Sequence, residues 1–430
     1  LFAQHNPDAP RWGPMHWAHA EGPDGVHWRN LPIALRPSPP VSPDDESGIF
    51  SGNAVDDNGV LTVFYTIFTD VRARPGAVPE TVGTATSTDG VEFVPYAGNP
   101  IIAERPAESD AGFRDPCVFR DPTDDRWKLA IGSGHDGRGN VHLYASDDLR
   151  QWTYVGVLAR GDGSTGGMWE CPSFFLLGDS WVLLVSANNT VHALVGAYDG
   201  TRFEPRSQGV LDAGPAYYAA QHYRDDRGRD LVLAWMHRWG QESPTVAEGW
   251  AGALTITREL FATEDGRVGT RPIREVESLR EGEPTVHTAL EVSPGQVVTL
   301  GRGTSLDVTV DLDPRGATSW TLRVLASDQE ATESRYDVAD GLLTLDTTRS
   351  GESDGGTWSV PLRPDASGTT SLRLLVDRSS VEVFGADGTA LTALVHPRSA
   401  DSDRVELAAY GGTVRVRRAE VWRLGSCWLD

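Results

Sequence analysis

Two short stretches carry residues fit for chemistry. Gly112-Phe113-Arg114-Asp115-Pro116-Cys117 and, about 55 residues on, Met168-Trp169-Glu170-Cys171-Pro172 each set one carboxylate in apolar or aromatic surroundings beside a proline that stiffens the backbone. Two carboxyl groups in unlike surroundings are the equipment of glycoside hydrolysis. One acid protonates the leaving oxygen, and ionised carboxylates stabilise an oxocarbenium-like transition state. Burial beside Trp169 is expected to favour the protonated, acid form of Glu170, whereas Arg114 is expected to keep Asp115 ionised. Either motif alone also fits a surface turn or a strand end.

The elements around these stretches repeat. An aspartate followed four residues later by a large aromatic recurs at Asp24…Trp28, Asp89…Phe93, Asp148…Trp152 and Asp199…Phe203, at intervals of about 50 to 65 residues. In each copy the aspartate begins a tight turn and the aromatic returns to the core. Short strand-like runs such as Leu61-Thr62-Val63-Phe64-Tyr65 and Trp181-Val182-Leu183-Leu184-Val185 lie between the copies. Units of this size imply a propeller with one four-stranded blade each. Four signed units and a degenerate fifth near Glu264-Asp265-Gly266 make five blades.

The fold class is therefore all-β: a five-bladed β-propeller over 1–270 followed by a C-terminal β-sandwich over 285–430. Residues 271–284 are expected to form a linker helix, since Ile273, Val276 and Leu279 fall at helical spacing. Beyond them, runs such as Ser305-Leu306-Asp307-Val308-Thr309-Val310 alternate apolar and polar residues, as sandwich strands do.

Composition narrows the partners. With 38 basic and 61 acidic residues the formal net charge is −23, which repels nucleic acid and anionic membranes but tolerates a neutral sugar. No apolar run approaches the ~20 residues that span a bilayer. Fourteen tryptophans suit sugar stacking as well as ordinary cores. Three cysteines without Cys-x-x-Cys spacing indicate neither a disulfide framework nor a zinc ribbon. His5, His16 and His19 lack zinc-type spacing, and Asp56-Asp57-Asn58-Gly59 and Asp225-Asp226-Arg227-Gly228 read as hairpin turns. No metal and no cofactor is expected. Met168, Trp169 and the Gly161–Gly167 loop are read as a pocket wall beside Glu170. The compartment and the oligomeric state stay open.

In order along the chain, these blocks resemble glycoside hydrolase family 32, the invertase, levanase and inulinase group of β-fructofuranosidases. The carrying blocks are Leu1-Phe2-Ala3-Gln4-His5-Asn6-Pro7 through Trp17, Phe50-Ser51-Gly52-Asn53, Phe113-Arg114-Asp115-Pro116 and Trp169-Glu170-Cys171-Pro172. Tyr217-Tyr218-Ala219-Ala220-Gln221, Leu233-Ala234-Trp235-Met236 and Val376-Asp377-Arg378 through Phe384 follow. The resemblance implies retaining hydrolysis of terminal β-D-fructofuranosides through a fructosyl-enzyme, with a fructose-containing sugar or fructan as partner. It implies Glu170 as acid/base and Asp115 as transition-state stabiliser beside Arg114. Gln4, Trp12, Phe50, Ser51, Cys171, Tyr218 and Trp235 would line the fructose subsite.

Two departures from the family pattern stand out. The nucleophile of the resemblance is an aspartate in a Trp-Met-Asn-Asp-Pro-Asn-Gly-like block, which would fall ahead of Leu1. The chain as written is expected to lack it, and to begin inside a domain. Ala216 stands where the family commonly has an aspartate, which bears on substrate length. A fructosyltransferase, or a catalytically silent fructan-binding protein if the nucleophile is absent, are the alternative readings.

Overall fold

The computed structural model describes residues 1–352 and 355–429; Asp430, the expected end of the second domain, lies outside them. Five sheets follow one another along the first 272 residues, and each is one blade of a propeller. The first holds Phe2–His5, His16–Glu21 and Arg29–Leu35, and among the described residues Phe2–His5 pairs with His16–Glu21 alone. The second, third and fourth are four-stranded and begin with the inner strands Gly48–Asp57, Phe113–Arg120 and Glu170–Leu177. The fifth begins with Tyr218–Arg224 and ends with Val268–Pro272.

The repeated aspartates do identical work in four blades. Oδ1 of Asp24, Asp89, Asp148 and Asp199 each accepts the backbone N–H groups two and three residues on, at 2.7–3.0 Å. This closes the turn before the blade's last strand and returns the aromatic. Phe203 is fully buried, and Phe93 and Trp152 pack edge-on against Phe2 and Phe64. Trp28 does more: its N–H donates to the Cys427 carbonyl (2.7 Å) and its carbonyl accepts from Leu429 N–H (2.8 Å). The C-terminal tail thereby returns to the first blade.

The junction is shorter than its periodicity implies. A 3₁₀ segment covers Arg274–Leu279, with no side-chain cap at Ile273, and Arg280–Val292 is already a sandwich strand. Val276 and Leu279 are buried three residues apart, a spacing that a 3₁₀ turn stacks on one face. Two six-stranded sheets then face each other. From Ser305–Asp313 the alternate residues Leu306, Val308, Val310 and Leu312 enter the core, where they belong to one cluster with Trp320, Leu322 and Leu407.

Candidate active site

Each inner strand of blades two to five loses register near its start. The breaks fall between Phe50 and Gly52, Arg114 and Cys117, Glu170 and Ser173, and Tyr218 and Gln221. In the last three, two residues oppose one on the neighbouring strand, and the first of the two has a left-handed backbone: Asp115 (φ 64°), Cys171 (φ 47°) and Ala219 (φ 52°). Such bulges turn a strand and re-aim its side chains. Pro116 and Pro172 suit the second bulge position, because a proline there removes no ladder donor.

These bulges face a pocket of about 370 Å³. It gathers Gln4, Trp12, Phe50 and Ser51 from the first two blades and Arg114 and Asp115 from the third. Glu170 and Cys171 come from the fourth blade, and Tyr218 and Trp235 from the fifth. The ten residues that the resemblance assigns to catalysis and the fructose subsite therefore lie together. Phe68, Glu80 and Trp239, which the motifs do not signal, line it too. A larger cleft of about 1540 Å³ is lined in part by Phe2–His5 and shares Gln4, Trp12, Ser51, Ala219, Trp235 and Trp239 with the pocket, but it contains neither Asp115 nor Glu170.

The carboxylates are tied to one another. Asp115 Oδ2 accepts from the backbone N–H of Cys171 (2.9 Å) and lies 3.5 Å from its thiol, so the residue after Glu170 grips the aspartate of the preceding blade. Asp115 N–H donates to Thr66 Oγ1 at 2.8 Å. Burial pushes the Asp115 carboxyl up to about 6, against the lowering pull of Arg114 and with a further push from Glu170. This corrects the expectation that Arg114 governs this group: desolvation outweighs the adjacent cation. Burial, then Asp115 and Glu170, hold the Cys171 thiol well above its ordinary range, so it stays a neutral donor.

Glu170 is held by polar partners. Arg114 Nη2 and Nε donate to its Oε1 at 2.8 and 3.2 Å, and the Tyr218 hydroxyl donates to its Oε2. Burial raises Tyr218, and the Glu170 carboxylate raises it further, so the phenol keeps its proton. Glu80 completes the arrangement: Oε1 accepts from Arg114 Nη1 (2.8 Å) and Oε2 from Phe113 N–H (2.6 Å).

Trp169 is not a pocket wall. It is fully buried in the core with Val141, Leu143 and Leu158, and its Nε1–H donates to Thr165 Oγ1 at 2.9 Å. A Cβ on Gly139 would approach its Cδ1 to 2.2 Å, so that glycine makes room for the indole. The apolar wall is built elsewhere. Phe50 and Phe68 stack at 4.5 Å, and Trp12, itself 40% exposed, packs edge-on against both at 5.5 and 5.9 Å. Trp235 stacks on His237 at 4.3 Å and meets Trp239 edge-on at 5.2 Å. Gln4 Nε2 donates to Ser51 Oγ at 2.8 Å. Among the described residues one group has the make-up of a metal site, Asp110, His135 and Asp136, and it lies outside the pocket.

Two family models match the chain: the glycosyl hydrolases family 32 N-terminal domain over residues 1–272 and the family's C-terminal domain over 275–423. A sucrose-6-phosphate hydrolase of Escherichia coli is 32% identical over 442 residues, covering 99% of this chain and 89% of the relative. A levanase of Bacillus subtilis (strain 168) is 33% identical over 472 residues, covering 100% and 67%. The crystal structure of an exo-inulinase from Aspergillus awamori superposes with a TM-score of 0.87 at 28% identity, covering 100% of this chain and 93% of the other.

Proposed function

The chain belongs to glycosyl hydrolase family 32, and from that premise we propose that it hydrolyses terminal β-D-fructofuranosides, taking fructose from sucrose or from levan- or inulin-type fructans. The observation that carries this reading is the Cys171 N–H bond to Asp115. It sets two carboxylates from neighbouring inner strands into one pocket, with Arg114 donating to Glu170.

Glu170 is proposed as the acid/base. Arg114 and Tyr218 orient its carboxyl, and it would protonate the leaving oxygen and later activate water. Asp115 is proposed as the stabiliser, its ionised form accepting from fructose hydroxyls while positive charge develops on the ring. Phe50, Phe68 and Trp12 would exclude water, and Gln4 and Ser51 would hold hydroxyls. None of these residues is proposed as the nucleophile. In the family resemblance that role belongs to an aspartate of a Trp-Met-Asn-Asp-Pro-Asn-Gly-like block, which residues 1–430 do not contain.

Incubation with sucrose, levan and inulin, with free fructose and oligosaccharides quantified by chromatography, tests the reading. Free fructose as the main product supports it. Oligosaccharides as the main product at high sucrose replace hydrolysis by transfer, and sugar binding without turnover replaces it by a fructan-binding role.

A further inference from the structure

The segment that delivers Tyr218 to the pocket is docked on the other domain. Residues 212–217 connect the last strand of the fourth blade to the inner strand of the fifth, and they run along the sandwich edge strand Ala390–Leu394. Ala213 N–H donates to the Ala390 carbonyl (2.9 Å) and Ala216 N–H to that of Thr392 (3.0 Å). Thr392 N–H returns a bond to Asp212 Oδ1 at 2.9 Å. A Cβ on Gly214 would sit 2.1 Å from Thr392 N, so the two backbones approach as closely as glycine allows.

A buried ionic cluster fixes this contact. Arg258, on the fifth blade and without solvent exposure, donates to Asp212 Oδ2 (2.8 Å), to Glu382 Oε2 (2.6 Å) and to Thr392 Oγ1 (2.6 Å). Glu382, a sandwich residue, spends its other oxygen on Ile256 N–H at 2.9 Å. The Arg258 guanidinium lies 4.5 Å over the Tyr217 ring and 4.8 Å from that of Phe384. Tyr217 is thus clamped by the interface, and the next residue, Tyr218, donates to Glu170. Removing one partner from such a buried ionic set leaves an uncompensated charge, so the set holds one geometry.

We propose that Glu382, from the sandwich domain, is a positioning residue of the pocket. Through Arg258, Asp212 and Thr392 it fixes the course of residues 212–217 and so the placement of the Tyr218 hydroxyl on Glu170. The sandwich then serves proton transfer as well as stability. The inference rests on the reading of Glu170 as acid/base.

The test compares sucrose with an aryl β-fructofuranoside whose phenolate leaves without needing a proton. Loss of acid positioning slows sucrose and spares the aryl substrate, whereas loss of folded protein slows both alike. Glu382→Gln is expected to lower the ratio of the two kcat/KM values about tenfold, the scale of a modest misplacement at a reacting group. If Glu382→Gln does not fold, Thr392→Val supplies the same comparison, since it keeps the backbone contacts of residue 392 and removes its hydroxyl. In a Tyr218→Phe background either change is expected to add nothing to the ratio, because both act through the lost hydroxyl. An unchanged ratio in a folded variant, or an effect that persists in full in the Tyr218→Phe background, overturns the proposal. Equal losses on the two substrates in Glu170→Gln overturn the acid/base reading beneath it.

Discussion

Arg114 is divided between two glutamates: Nη1 lies 2.8 Å from Glu80 Oε1, while Nη2 lies 2.8 Å from Glu170 Oε1. Burial favours losing the arginine's proton, but Asp115, Glu80 and Glu170 together outweigh it and raise the group further above its ordinary range. Only a planar fork serves two carboxylates this way, since an ammonium is a single point of charge. Arg114→Lys is therefore expected to keep one glutamate and release the other. Turnover of sucrose should fall roughly a hundredfold, with a cooperative unfolding transition retained by calorimetry.

Glu80 is expected to act on both stability and rate. Its Oε2 is the acceptor for the buried N–H of Phe113, and its Oε1 anchors Arg114. Glu80→Ala leaves that N–H unpaired, a cost of about 1–3 kcal/mol, measurable as a lower denaturant midpoint. Glu80→Gln keeps an acceptor for Phe113 but loses the charge facing Arg114. It should retain more stability than the alanine variant while still losing activity, and equal stability of the two would refute the N–H bond's role.

Glu170→Gln separates proton donation from binding. The amide fills the same volume beside Arg114 and Tyr218 but donates no proton to a leaving alkoxide. Cleavage of sucrose should drop by about 10²–10⁴, cleavage of an activated aryl fructoside far less, and fructose binding by calorimetry should persist. Equal losses on the two substrates would remove Glu170 from the acid role.

The carboxylate blocks were legible because their bulges are written locally: a proline directly after Asp115 and after Cys171 marks where the ladder breaks. The blades were legible because the Asp…aromatic turn repeats with unchanged geometry. Trp169 misled because adjacency along a chain was read as adjacency in space. Extended residues alternate sides, so the neighbour of a pocket-facing Glu170 points into the core. That period was available in the sequence. Glu80 carried no such mark: it opens an ordinary strand, Glu80–Ser87, and its value comes from a guanidinium that folding brings from the next blade. Phe68 and Trp239 are likewise chosen by tertiary packing. The interdomain cluster around Arg258 joins residues 46 to 180 positions apart, beyond what local pattern conveys.

Asp115 sets the acid side of the pH dependence. Its carboxyl is pushed up to about 6, first by burial and then by Glu170, with Arg114 and the Cys171 N–H opposing. A stabiliser of developing positive charge works ionised, so kcat/KM should fall as pH drops through about 6. Stability runs the other way. The folded protein binds this proton more tightly than the unfolded chain does. The contribution of Asp115 to stability is thus fully present below its ordinary value near 4 and is lost as pH rises through about 6. Asp115→Asn cannot ionise, so relative to wild type it should gain stability between pH 4 and pH 7, read from thermal midpoints across that range. It should also lower turnover of activated substrates, where acid assistance is not needed. Wild-type rates on an aryl fructoside would remove Asp115 from the reaction, and a stability difference that is flat with pH would show that its carboxyl is not raised by the fold.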